Sequence, residues 1–148
     1  MEGWHMLIST KGRYALRVMI DLAEHQSDGF IPLKVIADRQ GISEKYLESI
    51  IKLLVKAKLL NGLRGKGGGY RLTKTPDQYT VGEILRLTEE SLAPVSCIEL
   101  GPESCPRMAE CRTLSVWQGL DRVINEYLDN ITVADLTQNY DPGNNYVI

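Results

Sequence analysis

Apolar residues recur every three or four positions through much of this chain, and the places where that rhythm breaks divide it into elements. In STKGRYALRVMIDLAEHQSDG, Leu16, Met19, Ile20 and Ala23 fall on one helical face. Ser9 or Thr10 supplies the N-cap, and Ser27-Asp28-Gly29 ends the run. His25 sits in the last turn, where the helix dipole favours positive charge, and no metal-ligand partner lies near it in sequence. IPLKVIADRQ starts again at Pro32, a good first helical residue, with Val35 and Ile36 as the buried face and an end near Gln40. After the tight turn Gly41-Ile42-Ser43, Ser43 caps the helix SEKYLESIIKLLVKAKLL. Its Leu47, Ile50, Ile51 and Leu54 point inward, and Lys45, Tyr46, Glu48, Ser49 and Lys52 point largely outward. Two helices joined by a glycine turn, the second with a polar and basic outer face, make a helix-turn-helix pattern.

The period then changes. In LLNGLRGKGGGYRLTK, two short runs, Leu59 to Leu63 and Gly69 to Thr73, flank Arg64-Gly65-Lys66-Gly67-Gly68, the pattern of a hairpin with a glycine-rich tip carrying two cations. Such a tip lets the backbone approach phosphates closely and can place an arginine in a minor groove. It is not a nucleotide-phosphate loop, because G-x-x-x-x-G-K-[ST] is absent and the segment follows a helix. Pro76-Asp77 breaks the chain, and TVGEILRLTEE opens a short helix with Thr80 and Glu83 as a capping box, expected to pack beneath the wing. From about Leu92 to Cys111 nothing is periodic, and prolines stand at 94, 102 and 106. Beyond it, Leu114, Trp117, Leu120, Ile124, Tyr127 or Leu128, and Ile131 form a long apolar stripe. A stripe of that length needs a partner, and a second copy of the same helix is the simplest one; the resulting two-fold dimer suits a pseudo-palindromic site on double-stranded DNA. The tail TQNYDPGNNYVI reads as flexible.

The chain of 148 residues fits one ordinary domain with an appended element. Its net charge of −2 hides a polarity: residues 1–75 hold 13 Lys or Arg against 7 Asp or Glu, whereas residues 76–148 hold 4 against 12. A basic first half and an acidic second half suit a nucleic-acid-reading module joined to a module that does not bind phosphates. No apolar run reaches membrane-spanning length and no secretory pattern opens the chain, which points to a cytoplasmic protein. Residues 1–5, MEGWH, are set aside as an expression scar before Met6.

All 3 cysteines, Cys97, Cys105 and Cys111, lie in the aperiodic segment at C-x7-C-x5-C spacing. Their thiolates are soft donors suited to an iron-sulfur cluster or to zinc, although the C-x2-C pairs usual for zinc and the C-x-x-C of thioredoxin-like redox sites are missing. An enzyme has little support. One credible histidine allows no Ser-His-Asp set, and no cofactor fingerprint appears.

Taken together, STKGRYAL, the GIS-xx-YLE turn and helix start, RGKGGGY, TVGEI, the cysteine segment and LDNITVADL resemble the IscR-type iron-sulfur cluster regulators, from Met6 to about Thr137. These belong to a winged-helix superfamily that also includes NsrR and CymR. The resemblance implies a mainly α fold with a small β-hairpin wing: a winged helix-turn-helix domain over 6–91, a cluster-binding loop over 92–111, a dimerisation helix with its following turn over 112–137, and a flexible tail over 138–148. It also implies a homodimeric, DNA-binding transcription regulator, a repressor by type, holding a 2Fe-2S or 4Fe-4S cluster on Cys97, Cys105 and Cys111. Ser43, Lys45, Tyr46, Glu48 and Lys52 would face the major groove, and Arg64, Lys66 and Gly67 the minor groove and backbone. A Glu48 contact with a cytosine amino group would be worth about 1–3 kcal/mol of discrimination.

The sequence departs from that family at the fourth ligand. Where the family has a histidine three residues after the last cysteine, this chain has Leu114, which cannot bind iron. Glu99, Glu103, Glu110, Ser115, a partner-chain residue or a small exogenous ligand could replace it; the N-terminal carboxylate of the nitric-oxide sensors is replaced by Arg13. Expected stimuli are therefore cluster status, redox state or nitric oxide. An alternative resemblance, to CymR, implies a cysteine-metabolism repressor whose thiols hold no cluster and whose tail Asn145-Tyr146-Val147-Ile148 engages cysteine synthase, a free carboxylate on a small apolar tail being capturable by a backbone nest.

Overall fold

The computed structural model describes residues 7–100 and 110–137. Its first helix, α1 (Thr10–Glu24), starts at Ser9, whose hydroxyl accepts from the Gly12 amide at 3.0 Å. The deepest face is Ala15, Val18, Met19 and Leu22, while Leu16 and Ile20 are only half-buried. The buried face is thus turned from the expected one, because α1 is wedged between helices on two sides. A single 3-10 turn, Gln26–Asp28, follows.

Helix α2 (Leu33–Gln40) buries Ile36 and Ala37; Val35, expected inside, is 38% exposed. At eight residues, α2 has room for a narrow apolar stripe only. Gly41 then takes the left-handed conformation (φ 65°), which glycine adopts without steric cost, and turns the chain into α3 (Glu44–Lys56). Leu47, Ile50, Ile51 and Leu54 of α3 are buried as expected and, with α1 and Ile42, form the main core. The apolar run continues to Leu60, yet α3 stops at Lys56. The Lys58 amide bonds Val55 O and the Leu59 amide bonds Leu54 O, both at 2.9 Å, with Lys58 itself at φ 65°. That is a Schellman ending with lysine in the place glycine usually fills.

The wing follows as β1 (Leu60–Leu63) and β2 (Gly69–Leu72), antiparallel, with Leu60 opposite Leu72 and Leu63 opposite Gly69. Ile31 adds one more rung by exchanging both backbone bonds with Tyr70 at 2.9 and 2.8 Å. The rung needs glycine next door: a Cβ on Gly69 would collide with the Ile31 carbonyl.

Helix α4 (Val81–Thr88) begins at Thr80, whose side chain accepts from the Glu83 amide at 3.0 Å. It packs chiefly on α1 and α6 rather than beneath the wing. The reason lies in its two apolar edges. Ile84 completes the main core, whereas Val81 and Leu85 form a second cluster with Leu92, Leu128, Ile131 and Leu136. The cysteine segment, expected to be irregular throughout, contains a short helix, α5 (Ser96–Leu100), that packs on α6 (Leu114–Asp129).

Two sets of bonds hold the far end of α6 on the winged domain. Arg86 donates to Asp129 at 2.7 and 3.0 Å and to Asn125 at 2.7 Å, and the bond to Asp129 holds the guanidinium further in its charged form. Past the helix, Thr132 pairs with Thr80, the Val81 amide bonds Ile131 O at 2.8 Å, and the Val133 amide bonds Tyr79 O at 2.9 Å. Among the described residues no helix is long and apolar enough to cross a membrane.

Candidate DNA-reading face and cysteine segment

The reading face is built on α3. Ser43 lies exposed at its start and its hydroxyl accepts from the Tyr46 amide at 3.2 Å, so it is occupied as a cap. Lys45, Glu48 and Lys52 are exposed on successive turns, with Glu48 and Lys52 paired at 3.1 Å. Both partners of that pair are solvated, so it contributes little stability and opens readily for another ligand. Tyr46 does not point freely outward. It is half-buried, edge-on to Tyr14 of α1 at 5.8 Å, and Arg17 lies over Tyr14 at 5.0 Å. Arg64, Lys66 and Gly67 are exposed at the wing tip, where φ is 77° at Gly67.

Two anchoring groups escaped the sequence reading. Asp21 is 2% exposed in the last turn of α1, and its carboxylate accepts from Arg39 Nε (3.0 Å), Arg39 Nη2 (2.7 Å) and Gln40 Nε2 (2.8 Å). The Asp21 bond also raises the Arg39 pKa. This clamp joins α1 to the last turn of α2, one residue before Gly41, and so sets where α3 begins. His25 caps α1 with its Nδ1 2.7 Å from Asp21 O, a surface helix end as expected. The second group is Tyr79, fully buried, whose hydroxyl donates to Leu59 O and accepts from the Thr73 and Lys74 amides, each at 2.9 Å. It ties both roots of the wing to the core. A lone aspartate inside an apolar helical face was a visible signal for the first; nothing local marked the second.

Cys111 lies just before α6, half-exposed, with Sγ 3.4 Å from Thr113 Oγ1. The Thr113 hydroxyl, the Thr113 amide and the Leu114 amide together outweigh desolvation and lower the Cys111 thiol pKa. A sulfur held toward thiolate fits an iron-sulfur or other soft-metal ligand. The backbone of Cys97 lies in α5, against α6, but its side chain, Cys105, Glu103 and residues 138–148 lie outside the described residues. Among the described residues, no three His, Cys, Asp or Glu side chains converge on a metal position. Of the other candidate ligands, Glu99, Glu110 and Ser115 are exposed, and Glu99 lines a cavity of about 360 Å³ with Arg86, Glu89, Asp121 and Asn125.

The expected stripe of α6 divides into two faces. Trp117, Ile124 and Leu128 share a half-buried face, Leu128 packing on the cluster of Val81, Leu85 and Leu92, whereas Val116 (57%), Leu120 (41%), Val123 (60%) and Tyr127 (47%) are exposed at steps of four, three and four residues.

Comparison with known proteins gives consistent matches. Residues 8–139 match the family model described as Rrf2, iron-dependent transcriptional regulator. The HTH-type transcriptional regulators IscR of Sodalis glossinidius and Yersinia enterocolitica are 41% and 40% identical, covering 90% and 92% of this chain and 80% and 82% of theirs. Among solved structures, T. potens IscR superposes with a TM-score of 0.69 at 41% identity over 88% of this chain and 85% of that one. The B. subtilis protein described as CymR (YrzC), the global cysteine regulator, superposes with a TM-score of 0.73 at 37% identity over 91% of this chain and 98% of that one.

Proposed function

This chain belongs to the Rrf2 family and is a DNA-binding transcriptional regulator of the IscR type, and on that premise we propose that it works as a two-fold dimer whose hold on DNA responds to an iron-sulfur cluster bound by Cys97, Cys105 and Cys111. The observation that carries the reading is the arrangement of α6. One rod has Cys111 just before its first turn, an apolar edge exposed among the described residues along its length, and its far end bonded to the winged domain through Arg86 and the Thr80–Thr132 pair. A second copy of α6 against Val116, Leu120, Val123 and Tyr127 would set the two α3 helices at a fixed separation, matching half-sites of a pseudo-palindromic operator. A change at the cysteine segment shifts DNA affinity only so far as it favours one arrangement of that rod over another.

Within this reading, the cluster held by these cysteines would supply electron-accepting and ligand-exchange chemistry when bound. The chain's own residues do the rest. Cys111 is held toward thiolate by Thr113 and the start of α6. Lys45 and Lys52 would meet phosphates, Glu48 would release Lys52 to accept from a cytosine amino group, and Arg64, Lys66 and Gly67 would follow the backbone and minor groove. Tyr46 would contribute its hydroxyl edge, the ring being engaged with Tyr14. The fourth ligand would be a group other than Leu114, from this chain, its partner or a small exogenous molecule, and an incompletely protein-ligated iron is more open to oxygen and nitric oxide.

The test is anaerobic purification with iron and acid-labile sulfide analysis, followed by sedimentation and operator shift assays. Val123→Glu is expected to sediment as a monomer and lose operator affinity. Cys105→Ala is expected to bind iron poorly and to stop responding to iron supply. A Cys105→Ala protein that binds and responds like the parent would sink the sensing reading, and a Val123→Glu protein that stays dimeric would sink the α6 interface. The CymR-like tail partnership gains no support, its residues lying outside the described chain.

A further inference from the structure

Cys111 and Trp117 are six residues apart, and one hydroxyl joins them. Thr113 Oγ1 lies 3.4 Å from Cys111 Sγ, and the Trp117 indole Nε1 donates to that same oxygen at 3.2 Å. The backbone fixes the arrangement, since Thr113 O accepts from the Val116 and Trp117 amides at 3.0 and 3.3 Å in the first turn of α6. Chemistry then decides which way the protons run. An indole N–H can only donate, so it takes one lone pair of Thr113 and leaves the hydroxyl proton free to point elsewhere. A sulfur bound to iron has no proton and can only accept. The hydroxyl proton therefore turns to Cys111.

Resting on the cluster reading above, we propose that Thr113 is the positioning residue of the cluster site, donating its hydroxyl proton to the Cys111 sulfur while Trp117 holds it in place from the other side. Hydrogen bonds to ligand sulfurs raise a cluster's reduction potential, because the added negative charge of the reduced state strengthens them. Such bonds also orient the ligand, and removing a comparable outer partner weakens metal binding by on the order of tenfold or more.

The experiment uses the full chain, reconstituted anaerobically with iron and sulfide, as the parent and as Thr113→Val, Thr113→Ser and Trp117→Phe. Redox titration followed by absorbance, and iron loss to a ferrous chelator, are measured on each. Thr113→Val is expected to have a more negative midpoint potential and to lose iron on the order of tenfold faster. Thr113→Ser should match the parent, and Trp117→Phe should fall between the two. If the Val variant keeps the parent's potential and rate, the inference is overturned while the cluster reading stands. A Ser variant as impaired as Val overturns it too, because methyl packing would then be the cause. A parent that takes up no cluster overturns both readings together.

Discussion

Replacing Tyr79 by Phe removes a single oxygen from the base of the wing and leaves the buried ring in place, so the whole effect must come from hydrogen bonds. That oxygen serves three backbone groups: Leu59 O, the Thr73 amide and the Lys74 amide, each at 2.9 Å. Leu59 O keeps the Thr73 hydroxyl at 3.2 Å, and the Thr73 amide keeps a long bond to Leu59 O at 3.4 Å. Among the described residues the Lys74 amide has no such reserve, its bond running to Tyr79 alone. An orphaned buried donor costs about 1–3 kcal/mol, and these two amides are part-buried, so one full loss and one partial loss come to about 2 kcal/mol. Urea denaturation at fixed protein concentration should show the midpoint falling with the slope unchanged, and hydrogen exchange should speed up at Thr73 and Lys74 before the α1 core opens. Tyr70→Phe serves as control and should stay within about 0.5 kcal/mol, as substitutions away from such bonds do. A Tyr79→Phe protein equally close to the parent would refute the reasoning, and so would one that is destabilised while Thr73 and Lys74 keep their protection.

Asp21→Asn turns an amide toward the Arg39 guanidinium in place of a buried carboxylate; with Arg39 partly solvated, a loss of about 2 kcal/mol is expected by denaturation, with weaker operator binding in a shift assay. Burial pushes the Glu89 carboxyl up, but bonds from the Ser9 amide, the Thr88 hydroxyl and the Ser9 hydroxyl outweigh it and hold the pKa below its ordinary 4.5. Glu89 thus supports the fold above that value and ceases to as the pH falls through its lowered pKa, so Glu89→Gln should flatten the acid limb of a stability profile and leave its shape above pH 6 or so unchanged. Lys58→Gly relieves a side chain at φ 65° in the Schellman ending and should raise the urea midpoint, by up to about 1 kcal/mol in stability.

What could be read in advance was whatever depends on near neighbours in the chain. Ser43 caps α3 because a serine three residues before a free amide does so almost anywhere, and Leu47, Ile50, Ile51 and Leu54 are buried because a four-residue step repeats on one face. The glycine-flanked cations at 64–68 announced the wing, whose strands lie within one residue of their expected ends. The end of α3 was hidden because Lys58 adopts a conformation that its side chain does not advertise. Two apolar edges on α6 merged into one stripe, since residues such as Leu120 and Ile124 are four apart in sequence whichever side each serves. Tyr79 and Asp21 bind groups 20 and 18 residues away in the chain, and only the fold brings those together. At the candidate site, the three thiols were legible from composition, but the Thr113 hydroxyl gained meaning only when Trp117 was seen to hold it.

The cysteine segment is bracketed by two fixtures that stand without it. Leu92 is buried in the second apolar cluster, and α6 is fastened by Arg86 and by the strand-like pair that follows it. Because these fastenings use none of the cysteines, the framework is a common socket into which a segment of another length or with other donor atoms could be fitted. New sensory chemistries could be acquired on this framework by altering one short stretch, while the grammar of operator reading is inherited intact.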